Sequence, residues 1–223
     1  MSIVYHEEVE QGSEEWHAMR CGLLTASEMH LIVTPTLKAA SNDKERAHLY
    51  ELLAQRVTQF VEPRYISDDM LRGTEDEIDA LLLYAKHYAP VTECGFITND
   101  KWGFTIGYSP DSFVGDDGLI ECKSRRQKYQ VQTILEGCVP AEHMIQVQTG
   151  LLVTEREWLD YVSYSNGLPL FVVRVLPIPA YQEAIVEAAT AFEERLKARM
   201  GNYINAAVTL IPTERKIIQE MYT

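Results

Sequence analysis

Between Tyr108 and Lys123 the chain reads YSPDSFVGDDGLIECK. Asp116-Asp117-Gly118 is a turn signal with β-branched and aromatic residues on both sides, so the stretch predicts two strands, roughly 103–114 and 119–124, joined by a tight turn. Successive side chains of a strand point to opposite faces. Glu121 and Lys123 therefore share a face, and Cys122 turns away from it. If the two strands pair across the turn, Asp111, which follows Pro110, approaches Glu121. Two carboxylates at one end of a hairpin make a hard-oxygen site suited to Mg²⁺, with the Cys122 backbone carbonyl as a further oxygen. The Lys123 ammonium beside them is placed to assist an attacking water or to offset negative charge on a substrate.

The flanks of this hairpin alternate between helical and extended patterns. A further strand is expected at about 93–98, before the turn signal Asn99-Asp100. Towards the N-terminus, Ser13 followed by Glu14 and Glu15 opens a short helix carrying Trp16 and Met19. Gly22 separates it from Thr25-Ala-Ser-Glu28, which has the form of a capping box. From Asp43 to about Val61 the residues Leu49, Leu52, Leu53, Val57 and Phe60 recur at helical spacing, and Pro63 follows. Another helix is predicted over about 75–88, with Ile78, Leu81, Leu82 and Ala85 facing inward and Glu77 near its start. Beyond Pro140, AEHMIQVQTGLLV puts Met144, Val147, Leu151 and Leu152 on one helical stripe and leaves Gln146 and Gln148 off it. WLDYVSYS and LFVVRVL read as strands, and a long amphipathic helix over about 181–200 closes the pattern. The predicted class is α/β, a central mixed β-sheet flanked by helices. No repeat or linker divides the 223 residues, so one domain over 1–223 is expected.

The net charge of −13 provides no global basic footprint for a polyanion. Lys123, Arg125, Arg126 and Lys128 form the one dense basic cluster, and a local cationic lining acts within a Debye length of ~8 Å whatever the distant surface carries. The four cysteines lack a Cys-x-x-Cys pair and the six histidines lack a His-x-x-x-His pair. A thiolate or paired-histidine zinc site is thereby disfavoured, reduced thiols are expected, and carboxylates remain as the metal ligands. No stretch approaches the ~18 consecutive apolar residues of a membrane span. The opening MSIVYHEEVEQGSEEW has no apolar signal core, so the expected compartment is the cytosol.

Four segments follow one another along the chain: WHAMRCGLLTAS (16–27), GTEDE (73–77), Ser109-Pro110-Asp111 with Glu121-Cys122-Lys123, and MIQVQ (144–148). Pro-Asp, a spacer and Glu-x-Lys is the signature of the restriction-endonuclease-like, or PD-(D/E)xK, superfamily. Glu214-Arg215-Lys216 also fits Glu-x-Lys but has no Pro-Asp partner. Together the four segments resemble the phage lambda exonuclease or YqaJ-like viral recombinase nuclease family over roughly residues 11–176. The chain departs from that family's pattern at Ser112, where the family has Gly, and at Asp76, where it has Tyr. The second departure leaves Glu75, Asp76 and Glu77 as alternatives for one position.

The resemblance implies a Mg²⁺-dependent 5'-to-3' exonuclease on double-stranded DNA that releases 5'-mononucleotides and leaves 3' single strands for recombination by strand annealing. It implies that Asp111 and Glu121, with the Cys122 carbonyl, hold a catalytic Mg²⁺, for which Mn²⁺ substitutes, and that Glu77 supports a second ion or its waters. Lys123 would assist the attacking water, and Gln146 would orient Lys123 or a phosphate. Arg20 and Ser27 match positions that receive the terminal 5'-phosphate, with Arg125, Arg126 and Lys128 left to bind the DNA backbone. It further implies a ring-shaped homotrimer around the DNA, a single-strand annealing partner, and phage or prophage origin in a bacterial cytosol. From the residues alone, Arg20 reads as a surface ion pair with Glu14 or Glu15, Ser27 as a helix cap and Trp16 as a core residue. A metal site does not separate end from internal cleavage, so a restriction-like or structure-specific endonuclease stays open, as does a DNA-binding module without catalysis.

Overall fold

A computed structural model of the protein describes residues 2–63 and 67–215. Strand β1 (Ile3–His6) leads to helix α1 (Glu14–Arg20), whose start is capped by the Ser13 hydroxyl accepting from the Trp16 amide. Strand β2 (Leu24–Thr25) runs into a 3-10 helix, Ala26–Leu31. Helix α2 (Asp43–Thr58) begins at Asn42, whose side chain accepts from the amides of Lys44 and Glu45. Helix α3 (Asp68–His87) precedes strands β3 (Phe96–Asn99), β4 (Ile106–Tyr108), β5 (Ser112–Val114) and β6 (Gly118–Ser124). Helices α4 (Gln127–Glu136) and α5 (Ala141–Thr154), strands β7 (Trp158–Tyr164) and β8 (Phe171–Val175), and helix α6 (Pro179–Ala207) complete the order.

The α/β class with mixed sheet and flanking helices is observed, with the strands divided into two four-stranded sheets, β1-β3-β4-β2 and β5-β6-β7-β8. Each is mixed, because β2 and β4 run parallel, as do β6 and β7, while the other pairs are antiparallel. The predicted strand 103–114 is two strands in different sheets. Ser109-Pro110-Asp111 separates them, and Pro110 has no amide hydrogen with which to continue a ladder. Asp111 thus stands where one sheet hands the chain to the other.

Alternation along β6 is as the sequence predicts. Leu119 packs into the larger core with Leu159 and Tyr161 and with Ile185 and Phe192 of α6, whereas Ile120 and Cys122 join Val162, Tyr164 and the α3 residues Ala80 and Tyr84 in a smaller one. Helix α3 is rotated from the expected setting, although Leu81 still packs against the smaller core. Ile78 and Leu82 are 59% and 64% exposed, and the buried face is Asp76, Ala80 and Tyr84. Polar anchors account for this: the Tyr84 hydroxyl donates to Asp160 at 2.6 Å and the Ser124 hydroxyl donates to Asp76 at 2.5 Å. A buried carboxylate without such partners is strongly disfavoured, more than a few exposed apolar groups.

Four further elements differ from expectation. Helix α2 stops at Gln59, which adopts a left-handed conformation with φ 50°, before Pro63 is reached. Helix α4 is unannounced because its buried face is polar: Gln130 donates to the carbonyls of Ser163 and Pro169, while Leu135 is exposed. The strands β1 and β2 are too short to show a period. No helix among the described residues is long and apolar enough to cross a membrane.

Candidate active site

Glu121 is 2% exposed and its carboxylate accepts three hydrogen bonds. Lys123 Nζ at 2.7 Å and Gln146 Nε2 at 2.5 Å donate to Oε1, and the Tyr108 hydroxyl donates to Oε2 at 2.8 Å. Asp111 is half-buried beside it, its carboxylate accepting from the Cys122 amide at 2.5 Å while its own amide donates to the Ile120 carbonyl. Glu77 of α3 lines the same cavity, of about 220 Å³. Neither neighbour replaces it: Glu75 is exposed and Asp76 is bonded to Ser124. The choice that the sequence leaves open among Glu75, Asp76 and Glu77 thus falls on Glu77 as the residue facing the cavity.

Burial pushes the Asp111 carboxyl well above the usual carboxylate range, and the charges of Glu121 and Glu77 push it further; Lys123 and the Cys122 amide offset part of this. Glu77 is raised by burial and by Glu121, again partly offset by Lys123. For Lys123, burial disfavours the charge, but Glu121 and Asp111 outweigh it and hold the ammonium above its ordinary value. The three carboxylates outweigh Lys123 electrostatically, which is the charge state a divalent cation would balance. The donors are oxygens, and Oε2 of Glu121 keeps a lone pair beyond the one used by Tyr108. The donor set fits a hard divalent ion such as Mg²⁺ or Mn²⁺. All four cysteines are free, and the Cys122 thiol, raised by burial and by Asp111, points into the smaller core.

Arg20 and Ser27 line the cavity as well. The Arg20 guanidinium donates to Thr25 and Ser27 hydroxyls, each at 3.3 Å, and lies over the Trp16 ring at 4.2 Å. Gly22, at φ 72°, turns the chain between them. Its amide donates to the Gln55 side chain, its carbonyl accepts from Arg56, and a Cβ there would lie 2.6 Å from Arg56 Cγ. Arg56 is clamped in turn by Glu193 of α6 at 2.6 and 2.8 Å. Two expectations are corrected here. Thr25 makes no capping bond, its hydroxyl instead meeting Glu28, Arg20 and Ser27, and the element it opens is a 3-10 helix. Trp16 is not a core residue: α1 buries no side chain, and the Trp16 indole donates to the Ser109 hydroxyl at the cavity wall.

The basic cluster disperses. Lys123 enters the cavity, and Arg125 pairs with Glu142 at 2.7 Å. Arg125 and Arg126 line a separate groove of about 380 Å³ with Arg72, while Lys128 lies over the Tyr129 ring. Gln146 and Gln148 also part, since Gln148 is fully buried and bonds the Leu176 carbonyl and the Ile178 amide. Among the described residues, Glu28, His48 and Glu51 bring ligand atoms within 4.8 Å of one another, outside the cavity lining. No motif spacing could have revealed that group, because Glu28 is distant in sequence. Lys216, of the second Glu-x-Lys, lies outside the described residues. Tyr108 and Ser109 are among the cavity residues that the sequence did not assign. Their signal was adjacency to Pro110-Asp111.

Residues 15–157 match the YqaJ-like viral recombinase domain. No curated protein matches the chain. Among solved structures, an alkaline exonuclease from Laribacter hongkongensis superposes with a TM-score of 0.79 at 32% identity, covering 89% of this chain and 100% of its own. The same enzyme in complex with dAMP gives 0.79 at 34% identity with the same coverage. A phage-related exonuclease from Haemophilus somnus 129PT shares the fold, with a TM-score of 0.57 at 13% identity over 80% of this chain and 96% of that one. With the domain match spanning more than half its length and this identity maintained over a whole relative, the chain belongs to the YqaJ-like viral recombinase family.

Proposed function

We propose that the chain degrades one strand of duplex DNA from its 5' end, releasing 5'-mononucleotides and leaving a 3' single strand for annealing. As a member of its family with a full-length likeness to an alkaline exonuclease, it is a deoxyribonuclease. The observation that carries the finer reading is that one cavity is lined both by Glu77, Asp111, Glu121 and Lys123 and by the hydrogen-bonded pair Arg20 and Ser27. A terminal phosphate held by Arg20 and Ser27 would present the adjacent phosphodiester to the carboxylates.

Asp111, Glu121 and the Cys122 carbonyl would hold one Mg²⁺ or Mn²⁺, and Glu77 a second or its waters. The Cys122 amide points at Asp111, and in a strand the N–H and C=O of one residue point the same way in the sheet plane, so the carbonyl lies on the edge left open where β5 begins. When bound, the ions polarise the scissile phosphate and make water a stronger nucleophile at neutral pH. Lys123, kept charged by its carboxylate neighbours, offsets charge developing on the phosphate and orients the attacking water. Gln146 steadies Glu121, which Lys123 also engages. Arg20 and Ser27 bind the terminal phosphate, whose extra charge and oxygens distinguish it from an internal diester. Arg125, Arg126 and Lys128 contact the DNA backbone away from the cut. The working assembly is a homotrimer around DNA, acting with a single-strand annealing protein in a bacterial cytosol.

The test is purified protein with Mg²⁺ on linear duplex bearing 5'-phosphate or 5'-hydroxyl, and on a covalently closed circle. Expected are mononucleotides from the linear forms, faster with 5'-phosphate, no cutting of the circle, and no product after chelation. Cutting of the circle would replace this reading by an endonuclease. DNA binding without a metal-dependent product would leave a binding module.

A further inference from the structure

Gln146 and Gly150 are one turn apart on α5, on a face that packs against β4. Gln146 reaches Glu121 Oε1. At Gly150 a Cβ would lie 2.7 Å from both Cε1 and Cζ of Tyr108, contacts that packed atoms do not make, and a tight 3.0 Å from its hydroxyl. Glycine inside a helix is destabilising relative to alanine, so its presence here answers a need for space. The space is filled by the Tyr108 ring, 1% exposed, which crosses the helix and ends with its hydroxyl 2.8 Å from Glu121 Oε2. A phenol stays protonated at any pH near neutral, so it is the donor in this bond.

Lys123 and Gln146 both engage Oε1, and among the described residues Tyr108 is the one donor to Oε2. The terminal torsion of glutamate is broad, and two donors on one oxygen leave the other free to swing about it. We propose that Tyr108, seated against Gly150, is a positioning residue that fixes the Glu121 carboxylate so that the remaining lone pair of Oε2 is held towards the cavity for the divalent ion. The inference rests on Glu121 being a metal ligand in the proposed site. Partners that hydrogen-bond a ligating carboxylate are typically worth about 10- to 100-fold in metal affinity.

Mn²⁺ binding to the DNA-free protein, followed by the electron paramagnetic resonance of free Mn²⁺, tests this together with urea unfolding of each variant. Tyr108→Phe keeps the ring and removes the hydroxyl. It should weaken Mn²⁺ binding to the folded protein by about 10-fold or more and cost only the modest stability that one buried hydrogen bond brings, whereas a purely packing role would lower the urea midpoint and leave the affinity of the folded protein unchanged. Gly150→Ala should weaken binding in the same way, and Tyr108→Phe should then add little, because the hydroxyl has already been pushed off Oε2. If Gly150→Ala fails to fold, Tyr108→Phe alone decides. Wild-type Mn²⁺ affinity in Tyr108→Phe, with affinity lowered in Glu121→Gln, overturns the positioning role and leaves the site intact. Unchanged affinity in Glu121→Gln removes Glu121 from the metal site, and the proposal falls with it.

Discussion

Alanine at Asp111 or Glu121 removes one of the three carboxylates that line the cavity, and with it an oxygen donor of the proposed metal set. Each change should lower Mg²⁺-dependent nucleotide release by three orders of magnitude or more, since about 4 kcal/mol of transition-state stabilisation corresponds to roughly that factor. Single-turnover digestion of 5'-labelled duplex measures it, and near-normal activity would remove that residue from the metal set. Arg20 makes a different prediction because it lines the cavity with Ser27 as a hydrogen-bond donor and is not one of the carboxylates. Arg20→Ala should slow cleavage of 5'-phosphorylated duplex far more than of 5'-hydroxyl duplex, so that the ratio of the two rates shrinks. Equal losses on both substrates would assign Arg20 to its contacts with Trp16, Thr25 and Ser27, a folding role. Most of these residues were legible because strand alternation is local: Glu121 and Lys123 must share a face once they lie on a strand. The choice of Glu77 over Asp76 was not legible, because it depends on Ser124, whose hydroxyl bonds Asp76 across 48 positions of chain.

Helix α3 shows how an element can be found and still be set wrongly. Its apolar residues predict one buried face, yet Asp76 and Tyr84 turn another inward because their partners lie on β6 and β7. Tyr84→Phe should therefore cost about 1–2 kcal/mol of stability, less than a fully orphaned carboxylate, since Asp160 keeps two bonds from Arg174 at 2.8 and 2.9 Å. The expected reading is a lower urea midpoint at unchanged denaturant slope; an unchanged midpoint would mean that the apolar contacts of Ala80 and its neighbours set the rotation instead. Helix α4 escaped notice for a related reason, since its buried positions are Gln130 and Thr133 and carry no hydrophobic period. The strand broken at Pro110 could be suspected from the missing amide, but not the assignment of its halves to different sheets.

For the whole molecule a net charge of −13 stands against the polyanionic substrate proposed for it. The dispersal of Lys123, Arg125, Arg126 and Lys128 leaves one chain with a modest cationic surface, and convergence of three copies on one channel would multiply it. Light scattering at micromolar concentration should accordingly give the mass of about three chains; a stable monomer would remove the ring and leave the chemistry untouched. Taken by itself, the sequence determined the α/β class, the hairpin and its shared face, the capped start of α1, and the family through motifs that lie close together along the chain. These are set by backbone periods and neighbour chemistry, which act over a few residues. Only the tertiary structure decided the rotation of α3, the junction of two sheets at Asp111, the scattering of the basic cluster and the seat of Tyr108 on Gly150. The rotation of α3 and the seat of Tyr108 depend on polar or steric partners tens of residues away, and burial, not local propensity, makes those partners obligatory.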